Sequence, residues 1–403
     1  MNGPDYDIVV VGGGIAGLAF ACVMRDSGLR ILVLEAGEIP AFNPDEYDLR
    51  VNSINLGSQA FLDALDVWEP IAAKRAMPFS EIKVWDSSGS HVDFSAEDVG
   101  ESELGYIVEN NVLTTSLLEV LKRSPNCQLK TGMKLSLVES DSDIVWIGTG
   151  QTDRISCRLV VGADGADSMV RQLAGIQIAE QKSYDQRGIV AQVRATKPTK
   201  GISYQKFLPT GPLAFLPLSD GSLSIVWSCI TARALELESM PVQEFEQELA
   251  QAFDYRLGEF RLLSRRVSFE LRKLRTETYF KSRAVLIGDA AHVIHPLAGM
   301  GANLGLMDAA ALFEVMNPLV TKGGDPWNYQ GLRRYERWRK SVNSPTISLM
   351  DGFDRGFRSS SEKVRSLLGL GFSLTNQTRI AKQAIIRLAC GLAGDIPEIT
   401  KRA

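Results

Sequence analysis

The chain has 403 residues, of which 45% are hydrophobic and 23% are charged, and its formal net charge is −4. A chain of this size can bury a large core and is expected to form two interleaved domains and a terminal segment, whereas its slightly acidic charge argues against a nucleic-acid partner. Five scattered cysteines and three dispersed histidines predict reduced thiols in a cytoplasmic protein without a metal site.

The first marked stretch runs from Tyr6 to Glu35 and reads YDIVVVGGGIAGLAFACVMRDSGLRILVLE. An apolar run, Ile8 to Val11, ends at three glycines, and a helical segment follows from Ile15 to about Asp26. A second apolar run, Ile31 to Leu34, leads directly to Glu35. This order of strand, turn, helix, strand and acid is the βαβ fingerprint of dinucleotide-binding proteins.

Three glycines occupy the G-x-G-x-x-G positions of this fingerprint, and each has a separate physical task. Gly12 allows a sharp turn, Gly14 allows the backbone to approach a pyrophosphate, and Gly17 lets the helix lie close to the strand. The N–H groups at the start of the helix, near Ile15 and Ala16, then face the phosphate charge. The stretch therefore predicts dinucleotide binding.

Glu35 stands where an acid accepts a hydrogen bond from the adenosine ribose, which favours FAD or NAD over NADP. The uncharged run from Ile8 to Met24 also has the composition of a signal peptide or membrane anchor. However, Asp5 and Asp7 stand where a signal peptide has basic residues, and the run is short for a membrane span. The nucleotide fold is the prediction that we keep.

Helical and strand patterns alternate in the next part of the chain. A helical pattern covers Ser58 to Trp68, and alternation from Ile82 to Phe94 around Ser-Ser-Gly predicts a hairpin. Leu104 to Val108 and Val112 to Leu121 predict a strand and a helix that return to the first domain. Residues 128–157 predict a β-meander.

The second marked stretch, RLVVGADGADSMVR, runs from Arg158 to Arg171. An apolar strand leads into Ala-Asp164-Gly, and a helix is predicted to begin near Ser168. A strand–turn–helix capped by Ser168 would explain the pattern without a ligand. The residues alone leave this interpretation and a ligand site at Asp164 equally open.

Antiparallel hairpins are predicted from Gln186 to Ser228, where short apolar runs are separated by Pro- and Gly-containing turns. This pattern differs from the βαβ start and predicts an inserted second domain. A helix from about Val242 to Phe253 and strands near Val267 and Ala284 follow.

In the third marked stretch a buried strand ends in Gly-Asp289, and a Gly-rich loop then leads to a helix that starts near Ala302. Asp289 could accept a hydrogen bond from a polyol hydroxyl, and Pro296, Gly299 and Gly301 would let a flat ring lie against the backbone. The helix start carries a partial positive charge, which suits the anionic edge of a reduced flavin. A Gly-rich turn before a core helix is the alternative.

These three stretches, in this order, resemble the class A flavoprotein aromatic hydroxylases, the superfamily of para-hydroxybenzoate hydroxylase. The closer resemblance is to the ubiquinone-biosynthesis hydroxylase branch. It lies in Gly105–Asn110, Tyr184–Ala191, Phe207–Pro217, His295–Gly305 and Tyr335–Lys340. Two departures, Met300 where the branch has Gln and Glu270 where it has Pro, leave the exact member of the branch open.

The resemblance implies an α/β fold in which a Rossmann-like FAD-binding domain is interleaved with an antiparallel β-sheet substrate domain and followed by C-terminal helices. The implied boundaries are 1–75, 101–180 and 280–330 for the FAD-binding domain, 76–100 and 181–279 for the substrate domain, and 331–403 for the helical segment.

By the same resemblance, Arg50, which is otherwise equally well read as a surface arginine, contacts the flavin diphosphate. Asn110 is another FAD contact, Asp164 lies near the phosphates, and Asp289 lies at the ribityl chain. Pro296 through Asn303 would border the isoalloxazine. The predicted cofactor residues are Gly12, Gly14, Ile15, Ala16, Gly17, Glu35, Arg50, Asn110, Asp164, Asp289, Pro296, Gly299, Gly301, Ala302 and Asn303. The sheet containing Phe215 and Pro217 would cover the substrate pocket near His295, and no catalytic residue is predicted.

The implied reaction is hydroxylation of a polyprenylated phenol in ubiquinone biosynthesis through a flavin C4a-hydroperoxide, with O₂ as the oxidant. Because there is one dinucleotide fingerprint, electrons would come from transiently bound NAD(P)H or from a separate reductase. A flavin halogenase is disfavoured because its W-x-W-x-I-P segment is missing. Hydroxylation of another phenol, and a non-catalytic FAD-binding role in a biosynthetic complex, remain open.

The tail from Ser361 to Gly394 alternates apolar residues with Arg379, Lys382 and Arg387. A helical pair packed on the first domain is the interpretation that we prefer. A surface facing a membrane or a protein partner is the alternative, because a polyprenylated substrate must be drawn from a bilayer or a lipid carrier. The protein is therefore expected in the cytoplasm, with peripheral contact at the inner membrane as an open question.

Overall fold

The structure, a computed structural model, describes residues 3–141, 143–150, 154–294, 299–357, 371 and 375–402. The predicted site residues His295 and Pro296 lie outside the described residues, and so does most of the tail between Ser361 and Thr375. All structural statements below concern the described residues.

Six strands form a mainly parallel sheet at the centre of one layer of the fold. In spatial order they are β19 (Phe280–Lys281), β20 (Ala284–Leu286), β12 (Leu159–Gly162), β1 (Ile8–Val11), β2 (Ile31–Leu34) and β8 (Cys127–Lys130). All pairs are parallel except β19 with β20. The strands β1, β2 and β12 are buried along their whole length, as expected for a parallel sheet covered on both faces.

A larger, mostly antiparallel sheet forms a second layer. In spatial order it contains β21 (His292–Val293), β18 (Val267–Thr276), β13 (Ile178–Ala195), β16 (Leu223–Ile230), β15 (Gly211–Pro217), β14 (Ile202–Leu208), β5 (Glu81–Asp86) and β6 (His91–Ser95), with β17 (Phe260–Leu262) paired to β13. Two three-stranded sheets complete the strands: β3 (Val51–Asn55), β7 (Gly105–Glu109) and β4 (Met77–Phe79), and β11 (Arg154–Cys157), β10 (Val145–Gly148) and β9 (Leu137–Ser140).

Helices cover both sheets. They are α1 (Ile15–Val23), α2 (Leu56–Ala64), α3 (Trp68–Lys74), α4 (Asn110–Leu121), α5 (Met169–Leu173), α6 (Thr231–Ser239), α7 (Val242–Ala252), α8 (Gly301–Thr321), α9 (Tyr329–Phe357) and α10 (Arg379–Ala389). Among the described residues, 3₁₀ turns lie at Ala96–Val99, Gly288–Ala290 and Glu398–Thr400. Of the described helices, α8 alone has the length and composition of a membrane span, and 61% of its most apolar stretch is buried within the protein, as in a core helix.

The predicted fold class is confirmed, and the structure corrects several local predictions. The helix expected over Ser58 to Trp68 is divided into α2 and α3 at Asp66, which has a φ of 59°. Strand β8, expected in a β-meander, instead pairs parallel to β2, because α4 returns the chain across the parallel sheet. Helix α6 was not predicted, since only Ala234 and Leu237 are buried along it. The domain boundaries stay a prediction.

Candidate cofactor and substrate site

A cavity of about 1530 Å³ lies between the carboxyl end of the parallel sheet and one face of the antiparallel sheet. This volume exceeds that of a typical single-ligand pocket, roughly 300–1,000 Å³, and leaves room for a cofactor and a second molecule. The cavity brings together the predicted residues Gly14, Ile15, Ala16, Arg50, Asn110, Asp289, Gly299, Gly301 and Ala302.

The glycines of the first turn divide into two that the packing requires and one that faces open space. At Gly12 φ is +112°, and an added Cβ would lie 2.2 Å from the carbonyl oxygen of Ala163. At Gly17 an added Cβ would lie 2.1 Å from the carbonyl oxygen of Gly12. At Gly14, by contrast, it would meet no heavy atom within 4 Å. The start of α1 therefore borders the cavity with its backbone exposed, which is the arrangement that accepts a pyrophosphate.

Glu35 braces the glycine turn from the end of β2. Its Oε2 accepts a hydrogen bond from the N–H of Gly13 at 2.6 Å, and its Oε1 accepts one from the N–H of Gly37 at 3.0 Å. A carboxylate can accept about four hydrogen bonds, so acceptor capacity for a sugar hydroxyl remains. The predicted ribose contact stays a prediction, because Glu35 is not part of the cavity wall.

Arg50 and Asn110 lie side by side on the cavity wall. The N–H of Asn110, the first residue of α4, donates to the carbonyl oxygen of Arg50 at 2.8 Å. The N–H of Arg50 donates to Asp48, whereas its exposed guanidinium makes neither a hydrogen bond nor an ion pair with any described residue. A cation in this state, on a cavity wall, is suited to an anionic group such as a diphosphate.

Asp289 belongs to the 3₁₀ turn Gly288–Ala290, which follows β20, and its side chain lies in the cavity wall. Asp289 is exposed to this space. Desolvation by the surrounding protein raises the pKa of its carboxyl, although the neighbouring His292 and Arg50 oppose the rise. Asp289 is thus an acceptor that faces the same space as the guanidinium of Arg50.

Asp164 has the local structural role that one interpretation of the second marked stretch predicts. Its Oδ2 accepts from the N–H groups of Met169 at 2.7 Å and Val170 at 3.1 Å, and its Oδ1 accepts from the hydroxyl of Ser168. Burial raises the pKa of Asp164, while these hydrogen bonds lower it. The strand–turn–helix with a Ser168 cap is present, and contact between Asp164 and a cofactor remains a prediction.

Arg171 is a supporting residue that sequence reasoning did not single out. It is only 3% exposed, and its Nη1 donates to the carbonyl oxygen of Ala290 at 3.0 Å. Its Nη2 donates to the carbonyl oxygen of Ala166 at 2.8 Å. Arg171 therefore joins the turn after β12 to the turn that carries Asp289. Its place in a short helix after Asp-Gly was visible in the sequence, but its burial was not.

The Gly-rich loop before α8 is held by Asn303. Its Oδ1 accepts from the N–H of Asn55 at 3.0 Å, and its Nδ2 donates to the carbonyl oxygen of Ser53 at 2.7 Å. Its Nδ2 also lies 3.3 Å from the carbonyl oxygen of Gly299 in the loop. Asn303 is buried and is not among the residues that line the cavity. Gly299 (φ +62°), Gly301 and Ala302 do line the cavity, at the uncapped start of α8.

The antiparallel sheet supplies the opposite wall, but through other residues than those predicted. Side chains alternate between the two faces of a strand, and Ala214 and Leu216 of β15 line the cavity. Phe215 is fully buried on the other face, where its ring centroid lies 4.3 Å from that of Phe253. Pro217 shares the face of Phe215 by the same alternation. The prediction that Phe215 and Pro217 line the pocket is therefore wrong by one position along the strand, because Ala214 and Leu216 line it.

The sequence of this chain matches a known protein family. Residues 5–347 match the protein family described as FAD binding domain. The chain belongs to this family. The resemblance to class A flavoprotein hydroxylases is thereby confirmed, and so is the prediction of FAD as the cofactor.

Full-length relatives of this FAD-binding family are similar over nearly the whole chain. The chain is 34% identical to 3-demethoxyubiquinol 3-hydroxylase of Escherichia coli (strain K12), over 97% of this chain and 100% of that protein. It is 32% identical to the mitochondrial ubiquinone biosynthesis monooxygenase COQ6 of Danio rerio, over 95% of this chain and 89% of that protein.

A solved structure confirms the fold. The p-nitrophenol 4-monooxygenase PnpA of Pseudomonas putida DLL-E4 superimposes with a TM-score of 0.79 at 20% sequence identity, and covers 96% of this chain and 98% of that chain. At this level of identity the likeness establishes the FAD-binding monooxygenase fold.

Proposed function

We propose that this protein is an FAD-dependent hydroxylase that adds oxygen to the ring of a polyprenylated phenol in ubiquinone biosynthesis. Two relatives above 30% identity, from a bacterium and a fish, carry names of ubiquinone-pathway hydroxylases or monooxygenases. The observation that carries the proposal is a single cavity, bounded by flavin-type residues on one side and by a sheet with apolar side chains on the other.

FAD would be held by the residues that this cavity brings together. The start of α1 at Gly14 would face the diphosphate, Arg50 would neutralise its charge, and Asp289 would accept hydrogen bonds from the ribityl chain. The uncapped start of α8 at Gly301 would face the isoalloxazine, where its partial positive charge stabilises negative charge. When bound, FAD supplies the reaction with O₂ and the transfer of one oxygen atom to the ring.

The antiparallel sheet would position the phenol and keep water out. Val190 pairs with Val226, and Val226 pairs with Ala214, so that the three form an apolar row across neighbouring strands. This row lines the cavity, and the polar Gln192, Gln205 and Ser228 border it. Apolar walls exclude water from the reacting atoms, and a ring can pack flat on such a surface. Electrons would come from NAD(P)H or from a separate reductase.

Peripheral contact with the inner membrane is part of the proposal, and α10 supports it. Ile380, Ile385 and Leu388 are 81%, 44% and 60% exposed. The opposite side of the helix is anchored, because Ile386 is buried and Lys382 pairs with Asp98 at 2.7 Å. A helix with one face fixed, an apolar face exposed and an exposed Arg379 at its first residue is suited to an anionic lipid surface. The alternative is that this surface binds other proteins of a biosynthetic complex.

Genetic complementation tests the proposed function. The gene would be expressed in bacterial strains that each lack one ring hydroxylase of ubiquinone synthesis, and quinones would be identified by mass spectrometry. We expect restored ubiquinone in one strain, which would also identify the ring carbon. Purified protein that binds FAD yet restores no strain would overturn the pathway assignment and leave the flavin site intact.

A further inference from the structure

A buried polar network lies directly behind the turn that carries Asp289, and it centres on Asp308 of α8. This carboxylate is fully buried. Its Oδ2 accepts from the N–H of Gly288 at 3.0 Å and lies 2.6 Å from Nε2 of His292. Its Oδ1 accepts from Nε of Arg339 at 2.7 Å and from Nδ2 of Asn343 at 3.1 Å. One side chain thus connects α8, β21 and α9 to the turn.

The bond to Gly288 is the one that matters for the cavity. Gly288 has a φ of +59°, and the chain leaves the parallel sheet at this point. The N–H of Ile287 still donates to β12, through the carbonyl oxygen of Gly162, whereas the next N–H donates to Asp308. Asp308 therefore takes the place of the neighbouring strand as the hydrogen-bond acceptor at the point where the backbone turns. This turn directs Asp289 into the cavity.

Charge makes this acceptor strong and fixed. Burial alone would raise the pKa of Asp308, but the neighbouring His292 and Arg339 hold it well below its usual range, so the group is a carboxylate. Hydrogen bonds to an ionised acceptor are stronger than neutral ones, and a buried pair is rigid when all its members are satisfied. Arg339 is itself 1% exposed, and its second bond goes to Asn343 at 2.9 Å.

We propose that Asp308, held by Arg339, is a positioning residue for the cofactor: it fixes the Gly288 turn and through it the orientation of Asp289. Arg339 lies in α9, within the Tyr335–Lys340 stretch of the resemblance but outside the cavity wall. The C-terminal helical segment is thereby coupled to FAD affinity through one ion pair. The inference rests on the proposed contact between Asp289 and FAD, and not on the identity of the phenol.

A double-mutant cycle on FAD binding tests this inference. Apoprotein would be titrated with FAD, by flavin fluorescence, for the wild type, Asp308→Asn, Asp289→Asn and the double variant. Asp308→Asn should weaken FAD binding about ten-fold, the effect of losing one hydrogen bond to a charged group. In the Asp289→Asn background, Asp308→Asn should weaken FAD binding by less than about two-fold. The effects of two residues are not additive when one acts through the other.

A matched control separates positioning from general stability. Asp351 of α9 is also buried, at 5% exposure, and pairs with Lys273 at 2.7 Å, but it does not contact the Gly288 turn. Asp351→Asn should lower the Tm and leave the FAD dissociation constant unchanged. If Asp308→Asn gives no folded protein, Arg339→Lys, which keeps the charge but loses the fork of donors, enters the same cycle.

The inference would be overturned by any of three results. The first is an unchanged FAD dissociation constant in a folded Asp308 variant. The second is a double variant in which the two fold-losses of FAD affinity multiply in full. The third is an Asp289→Asn variant that binds FAD as the wild type does. None of these results bears on the choice of phenol, which complementation decides separately.

Discussion

The N–H of Asn110 donates to the carbonyl oxygen of Arg50 at 2.8 Å, and both residues face the same cavity. This bond extends the antiparallel pairing of β3 with β7, in which Val51 is opposite Glu109. It therefore places a cation beside the start of α4 through backbone geometry alone. The position of the Arg50 side chain is set by a sheet, although its guanidinium has no partner among the described residues.

Replacing Arg50 should affect FAD binding and leave the fold intact. Arg50→Ala is expected to weaken FAD binding by about ten-fold or more, because a charge-assisted bond to the diphosphate is lost. Arg50→Lys should keep part of the affinity as a point charge. FAD titration of apoprotein measures both. Arg30→Ala, which removes an exposed arginine paired with Asp7, is the control and should change nothing.

Alanine at two glycines of the first turn should have opposite effects. Gly17→Ala would place a Cβ 2.1 Å from the Gly12 carbonyl oxygen and should destabilise the apoprotein by roughly 1–3 kcal/mol, as overpacking does. Gly14→Ala meets no neighbour within 4 Å, so the Tm of the apoprotein should be unchanged while FAD binding falls about ten-fold. Equal effects of the two variants on Tm would contradict this assignment.

Adjacent residues on β15 should separate folding from substrate binding. Phe215→Ala should cost about 3–5 kcal/mol of unfolding free energy, because the ring fills the core beside Phe253. Ala214→Phe should leave stability nearly unchanged, since its side chain enters the cavity, and should abolish phenol-dependent NAD(P)H oxidation. Urea denaturation and turnover of the purified holoenzyme measure the two effects. Turnover that survives in Ala214→Phe would place the phenol elsewhere.

The Asp308 carboxylate predicts a specific pH dependence of stability. Its pKa in the folded protein lies below its ordinary value of 3.8, so the ionised group stabilises the fold above that pH. This stabilisation is lost as the pH falls below about 4, because protonation then competes with folding. The difference in unfolding free energy between wild type and Asp308→Asn should shrink as the pH falls from about 5 to about 3. Urea denaturation across this range measures it, and a difference that grows on acidification would refute the assignment.

Exposed apolar residues on α10 should control lipid binding. The double variant Ile380→Ser and Leu388→Ser should bind vesicles containing phosphatidylglycerol about ten-fold more weakly, because two large apolar side chains no longer enter the interface. Co-sedimentation measures the bound fraction. Leu235→Ser removes a leucine that is 51% exposed on α6 and serves as the control. Equal losses in both variants would show that α10 has no special role.

The sequence predicted those parts of the site whose cause is local. Gly17 packs against the carbonyl oxygen of Gly12 within one βαβ unit, so the chain alone reveals this requirement, whereas the close neighbour of Gly12 is Ala163, which is distant in sequence. The roles of Arg171 and Asp308 depend on partners distant in sequence, and burial of a charged group has no local signature. Phe215 was misplaced for a different reason: β15 carries apolar residues on both of its faces, so its sequence has no hydrophobic alternation to show which side chains face the cavity.

The cavity shared by the two sheets has a consequence for the order of binding. Its apolar wall and its flavin-type wall enclose one continuous space of about 1530 Å³, so bound FAD would become the floor on which a ring rests. We therefore expect substrate binding to depend on bound FAD, which would supply the surface opposite Val190. A search for ligands of this protein should therefore use the FAD-loaded protein, because the protein without FAD would lack one wall of the substrate site.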